Sequence, residues 1–258
     1  MPLLMQEPVR EAACAIAMTD AELATRAQLA GCYRVFDLLG WTEMIFNHIT
    51  LRVPGPERVF LINPFGLHYS EVCASNLVAV DIAGRPVRPT EHGVNRAGFV
   101  THAAIHAGLD QAHCVMHTHT TTGCAVACLA GGLSHDNFYG AQLHGQVAYH
   151  DFEGVTVNPD EQQRLLADIG SHRAVVLRNH GLLSWGGDIT EAFMWLWTLQ
   201  RACDVQIAAA SAGPVVPVPA AVLAQTVREA GAAEPAVCER VFAALLRQVQ
   251  RRDPGYLL

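Results

Sequence analysis

The 258-residue chain contains no lysine; all 17 of its cationic side chains are arginine. Without a Lys amine, Schiff-base aldolase chemistry, a pyridoxal anchor and a P-loop lysine are excluded. Charge is scarce altogether, at 16% of residues, and the net charge is −7 with no basic stretch before Arg251-Arg252. A nucleic-acid partner is not expected, because phosphate binding needs a positive footprint. Long apolar runs are also missing. Stretches such as Ala174–Leu177 fall far short of the ~20 residues that cross a bilayer, so no membrane partner is expected. The first twenty residues hold Glu7, Glu11 and Asp20 with no basic-then-apolar order, which predicts no secretory signal and a cytoplasmic location. No CxxC pair occurs among the eight cysteines, which read as reduced, mostly buried thiols.

What the chain does have is apolar content and histidine. At 51% hydrophobic residues it can bury a substantial core, and disorder is excluded. Of 13 His, eleven fall between His92 and His180. Helices are predicted over residues 20–39 (Asp20 as cap, Gly40 as stop), 95–107, 120–129, 160–169 and from Asp188 onward. Strands are predicted over 44–53, 59–62, 77–82, 115–119, 174–178 and 182–185, with loops and short strands over 133–157. This mixture predicts an α/β sandwich around a mixed or antiparallel sheet. The domain reading is an N-terminal extension over 1–19, one domain over 20–212, and a Pro-rich link with C-terminal helices over 213–258.

His117-Thr118-His119 is the leading chemical signal. Residues two apart in a strand share a face, so both imidazoles project together, half of a Zn, Fe or Mn site. The alternative is two exposed His at a strand end. His180, in Arg178-Asn179-His180-Gly181, is the third candidate, aimed by a turn that Gly181 permits, or else a solvent-facing turn residue. Asn47 and Asn63, with the backbone opened by Gly66, are candidate donors to a ligand oxyanion or carboxylate. His102 and His106 share a helix face, where local hydrogen bonding is the commoner role.

Together, Phe46–Thr50, Ile62–Leu67 with Tyr69-Ser70-Glu71, Asn95–His106, Cys114–Thr120, Gly145–Asp151 and Leu177–Leu182 resemble the class II aldolase/adducin family, in the wording of its adducin-head branch. The resemblance implies a three-layer α/β/α sandwich with a central, largely antiparallel sheet. It implies a homotetramer with sites near subunit interfaces. It also implies one divalent metal per chain on His117, His119 and His180, with Zn2+ first and Fe2+ or Mn2+ as alternatives. The aldolases of the family carry a catalytic Glu within a Ser-Ser-Glu run, and here that position is Gly98, preceded by Arg96 and Ala97. Phe65 replaces the Thr of the phosphate loop, and Phe46 the Gly before Asn47.

The expected substrate is therefore a non-phosphorylated small carboxylic acid or carbonyl compound, a 2-oxo or hydroxy acid. The expected activity is a metal-dependent lyase or decarboxylase. Alternatives are an Fe(II)/O2-dependent oxygenase performing oxidative decarboxylation and a non-catalytic, adducin-like binding module. Adducin's Lys-rich tail has no counterpart here, so actin or membrane-skeleton binding is not expected. Tyr139, His144 and His102 are the candidate proton donors, with Tyr139 and His144 expected to approach a neighbouring subunit's metal. Asn47, Asn63, Gly66 and Arg96 are the candidate substrate contacts, with Arg96 as a bidentate partner for the carboxylate.

Overall fold

The computed structural model describes residues 18–154, 159–230 and 234–258. All but the last two residues of the expected N-terminal extension lie outside that range. The first helix, α1 (Asp20–Leu39), is capped by Thr19, whose hydroxyl accepts from the Glu22 N–H at 3.1 Å. The cap is one residue earlier than Asp20. Thr19 has the extended backbone a cap needs, and Asp20 instead places its charge in the first turn, where the helix dipole favours it. Gly40 ends the helix with φ +71, a left-handed conformation that costs glycine little.

Seven strands form one sheet: β1 (His48–Arg52), β2 (Phe60–Ile62), β3 (Val78–Val80), β4 (Cys114–Thr118), β5 (Val147–His150), β6 (Ala174–Leu177) and β7 (Gly181–Gly186). Their order is β3-β2-β1-β4-β7-β6-β5, and every neighbouring pair is antiparallel except β5 with β6. The first strand is shorter than the expected 44–53. Met44 has φ +48, and the Phe46 N–H donates to the Glu43 carbonyl at 2.9 Å, so the chain turns before it pairs.

Alternation along the strands feeds two cores. Cys114 and Met116 of β4 pack with α1 and with α6 (Ile189–Ala212). On the opposite face Val115 packs with Ile105 of α2 (Arg96–Gly108) and with Leu165 and Ile169 of α5 (Pro159–Ile169). The fold is thus the expected three-layer sandwich around a mixed, mostly antiparallel sheet. Two short helices, α3 (Thr121–Ala127) and α4 (Phe138–Gln142), lie within the connections. Two C-terminal helices follow the Pro-rich link, α7 (Ala220–Ala230) and α8 (Pro235–Arg252), and Phe242 and Val249 of α8 join the same core as α1 and α6.

A buried polar chain ties α2 to β1. His106 Nδ1 lies 2.7 Å from the Ala112 carbonyl, His106 Nε2 lies 2.7 Å from the Thr50 hydroxyl, and His102 Nδ1 lies 2.8 Å from that same hydroxyl. The carbonyl can only accept, so the His106 proton sits on Nδ1. His106 Nε2 then accepts from Thr50, and the Thr50 oxygen accepts from His102 Nδ1–H.

Burial pushes the His106 pKa down from 6.5 to about 4, against a smaller opposing effect of the Ala112 carbonyl. Between these values the unfolded chain binds a proton that the folded chain refuses, so stability is lost as pH falls through that window. From pH 7 to 5 the His106 contribution is a loss of about 2 kcal/mol. Urea unfolding of wild type and His106→Asn should show the shallower pH dependence in the variant. Identical slopes would remove His106 as a source of acid sensitivity.

Candidate metal centre

Strand β4 is paired on both edges, with His48 opposite His117 in β1 and Leu183 opposite His117 in β7. His117 shares the α2-facing side of the strand with Val115. His119 lies one residue beyond the strand end rather than within it. The third imidazole arrives on the turn between β6 and β7. The His180 N–H donates to the Leu177 carbonyl at 3.1 Å, and Asn179 takes φ +54. A Cβ on Gly181 would sit 2.4 Å from the Thr118 carbonyl oxygen and 3.3 Å from His117 Cε1. Only glycine allows this turn to close against the end of β4.

Ring nitrogens of His117, His119 and His180 all lie within 4.8 Å of one another, and His117 Nε2 is 2.7 Å from His119 Nε2. His117 Nδ1 lies 2.9 Å from the Leu182 carbonyl. That bond fixes the proton on Nδ1 and leaves the Nε2 lone pair directed at the other two rings. Burial holds the His117 pKa well below the usual range, with His119 and His180 adding to the effect. Burial also lowers His119, and it takes His180 to about 4, assisted by His119. Three neutral imidazoles at neutral pH, their ring nitrogens converging, are a donor set that fits a divalent ion such as Zn2+, Fe2+ or Mn2+.

The cluster opens into a cavity of about 690 Å³. Met44, Phe46 and Phe152 contribute apolar surface to it, and the Phe46 and Phe65 rings stand 6.5 Å apart. Among the described residues that line it, Glu43 is the single carboxylate.

The other expected site residues differ in where they lie. His102 is fully buried and lines the cavity. Asn47 is buried beside it, with Nδ2 donating to the Trp41 carbonyl at 3.3 Å and Oδ1 unpartnered. Asn63 does not line the cavity; its backbone N–H donates to the Tyr33 hydroxyl at 3.1 Å, and its Oδ1 accepts from the same hydroxyl at 3.0 Å. Gly66 is an exposed bend with φ +102, and Arg96 is exposed at the start of α2, next to the cavity residues Asn95, Ala97 and Gly98. Tyr139 lies on α4 with its ring 5.5 Å from Trp197, and the exposed His144 packs 4.9 Å from His135. Neither lines the cavity of its own chain. Sequence reasoning passed over His48, which the register sets directly beside His117. The available signal was that His48 and Thr50 alternate onto one face of β1.

Residues 27–207 match the family described as Class II Aldolase and Adducin N-terminal domain. An aldolase II superfamily protein from Pseudomonas syringae is 41% identical and superposes with a TM-score of 0.89, over 93% of this chain and 98% of that one. L-fuculose 1-phosphate aldolase from Glaciozyma antarctica PI12 is 27% identical with a TM-score of 0.80, over 95% and 96%. Alpha-adducin from Rattus norvegicus is 42% identical over 83% of this chain and 30% of the adducin.

Replacing His119 with Ala should weaken Zn2+ binding by at least ~100-fold in calorimetric titration, beyond the usual effect of losing an outer hydrogen bond. Because His119 lies past the strand end, the thermal transition of the metal-free protein should stay within a few degrees of wild type. Unchanged Zn2+ affinity would remove this cluster as the metal centre.

Proposed function

The chain belongs to the class II aldolase and adducin family, and from that membership we propose that it is a divalent-metal-dependent lyase. Its substrate is a non-phosphorylated 2-oxo or hydroxy acid. The observation that supports this most is the pairing of three neutral, convergent imidazoles with a cavity that is aromatic at its rim and lacks any side chain at Gly98. A divalent ion on His117, His119 and His180, Zn2+ first by family, supplies Lewis-acid polarisation to a chelating acid. Decarboxylation suits a site without the family's Glu when the acid carries a carbonyl β to its carboxylate: that carbonyl takes up the electron pair as CO2 departs, a proton donor completes the step, and no carboxylate is needed to remove a proton.

The protein's own residues supply the rest. Phe46, Phe65 and Phe152 favour an apolar, branched or aromatic substituent over a polyol and keep water from the reacting carbon. Phe65 offers no hydrogen bond to a phosphate. Arg96, exposed beside the cavity-lining turn of α2, is assigned to the substrate carboxylate. His102 Nδ1–H is committed to Thr50, which leaves Tyr139 and His144 as the assigned proton donors. We place them in a homotetramer, each serving a neighbouring subunit's cavity, in keeping with their distance from the cavity of their own chain. The likeness to alpha-adducin supports a second reading, a binding module whose metal centre is structural. The complete His set argues for the enzyme.

Elemental analysis of protein purified without chelator should give one Zn2+ or Mn2+ per chain, with CO2 released from an aromatic-substituted 2-hydroxy-3-oxo acid and no O2 consumed. Iron with O2 uptake would replace the lyase by an oxygenase, and absence of any metal would favour the module. Turnover of fuculose 1-phosphate should be undetectable. Sedimentation should show a tetramer, with Tyr139→Phe or His144→Ala lowering kcat at least ~10-fold. A fully active monomer, or two fully active variants, would remove the interface assignment.

A further inference from the structure

Helix α2 passes so close to β1 that residue 98 has no room for a side chain. A Cβ on Gly98 would lie 2.4 Å from His48 Cε1 and 2.8 Å from each of its ring nitrogens. The His48 ring occupies the volume into which a residue-98 side chain would project. It is 4% exposed, lines the large cavity, and stands 4.2 Å from the His102 ring and 5.5 Å from the His117 ring, centroid to centroid.

The hydrogen-bond inventory of these two rings is incomplete in one specific way. Nε2 of His48 and Nε2 of His102 are both buried without a partner. The Ala112–His106–Thr50 chain places the His102 proton on Nδ1, so His102 Nε2 is a bare acceptor. His48 Nδ1 faces the Phe46 carbonyl at 3.4 Å, an acceptor, which draws the proton to Nδ1 and leaves Nε2 bare as well. Two buried acceptors therefore stand side by side on the wall of a cavity, and the described residues bring no donor to either. Buried polar atoms are rarely left unpaired, and on a cavity wall such an atom is placed to meet water or a ligand.

We propose that His48, backed by His102, is a hydroxyl-recognition element that makes this site select a 2-hydroxy acid over the matching 2-oxo acid. The inference rests on the acid-substrate reading given above and narrows it. A carbonyl oxygen brings no hydrogen and leaves both nitrogens unpaired, whereas a hydroxyl donates to one of them. Sites that bury a polar partner for a substrate hydroxyl reject the analogue lacking it strongly. His48 touches the ligand, and His102 is the positioning residue behind it.

The test uses Zn2+-loaded protein and the matched pair mandelate and benzoylformate, whose aromatic ring suits the rim. Calorimetry should show mandelate bound at least about tenfold more tightly. His48→Phe, which fills the same volume without an acceptor, should bind the two acids equally while retaining one Zn2+ per chain; should it not fold, His48→Ala serves. Long-range 15N NMR of the metal-free protein should find both Nε2 atoms unprotonated, and Thr50→Val should shift the His102 tautomer. Equal binding by wild type, or a preference that survives in both His48 variants, overturns the proposal and leaves the acid-substrate reading standing. Binding of neither acid overturns both. A proton on either Nε2, or a second Zn2+ per chain lost in His48→Phe, also overturns it, the latter by making the pair a metal site.

Discussion

Strand β4 is hydrogen-bonded on both edges, and its register against β1 and β7 places His48, His117 and the Leu182 carbonyl side by side. A slip of one residue would send His117 into the α1/α6 core and bring Met116 to the α2 face, exchanging an imidazole of the candidate centre for a thioether. Apolar burial guards the register from both sides: Cys114 and Met116 are committed to one core and Val115 to the other. The geometry of the imidazoles is thus fixed by residues that perform no chemistry. Helix α2 is fixed to the same frame by the Thr50 hydroxyl, which links its two His to β1.

The electrostatics follow from that frame. Five imidazoles, His48, His102, His117, His119 and His180, gather around one cavity, and burial disfavours the charged form of every one. An ion held by neutral ligands keeps its full positive charge in a poorly solvated place. With Glu43 the single carboxylate among the described lining residues, such a charge would favour the anionic ligand proposed above over a neutral sugar.

Much of this was legible in the sequence. The HxH spacing marked two imidazoles that do converge, although His119 falls one residue past the strand, and the left-handed residue of the Asn-His-Gly turn is Asn179 rather than Gly181. Fold class followed from the alternation of short strands with long helices. The misreadings have local causes. Residues 44–47 look like strand by composition, but a left-handed Met44 turns the chain. Asn63 looks like a cavity donor, but Tyr33, thirty residues earlier, holds its backbone N–H and Oδ1, and the residue does not line the cavity. His48 was missed because its role is a relation of volumes with Gly98, fifty positions away, and no local pattern signals that an absent side chain makes room for a distant one.

The mutual exclusion of His48 and a side chain at position 98 also orders the routes by which this pocket can be reached from a carboxylate-bearing relative. A side chain at 98 would overlap the His48 imidazole as it is placed, so the ring would have to leave or turn aside. A chain with Gly at 98 and a small residue at 48 carries neither group, only an enlarged pocket. The order is the same either way: whichever group is present must leave or turn aside before the other can enter the shared volume, and restoring a carboxylate at 98 begins at His48.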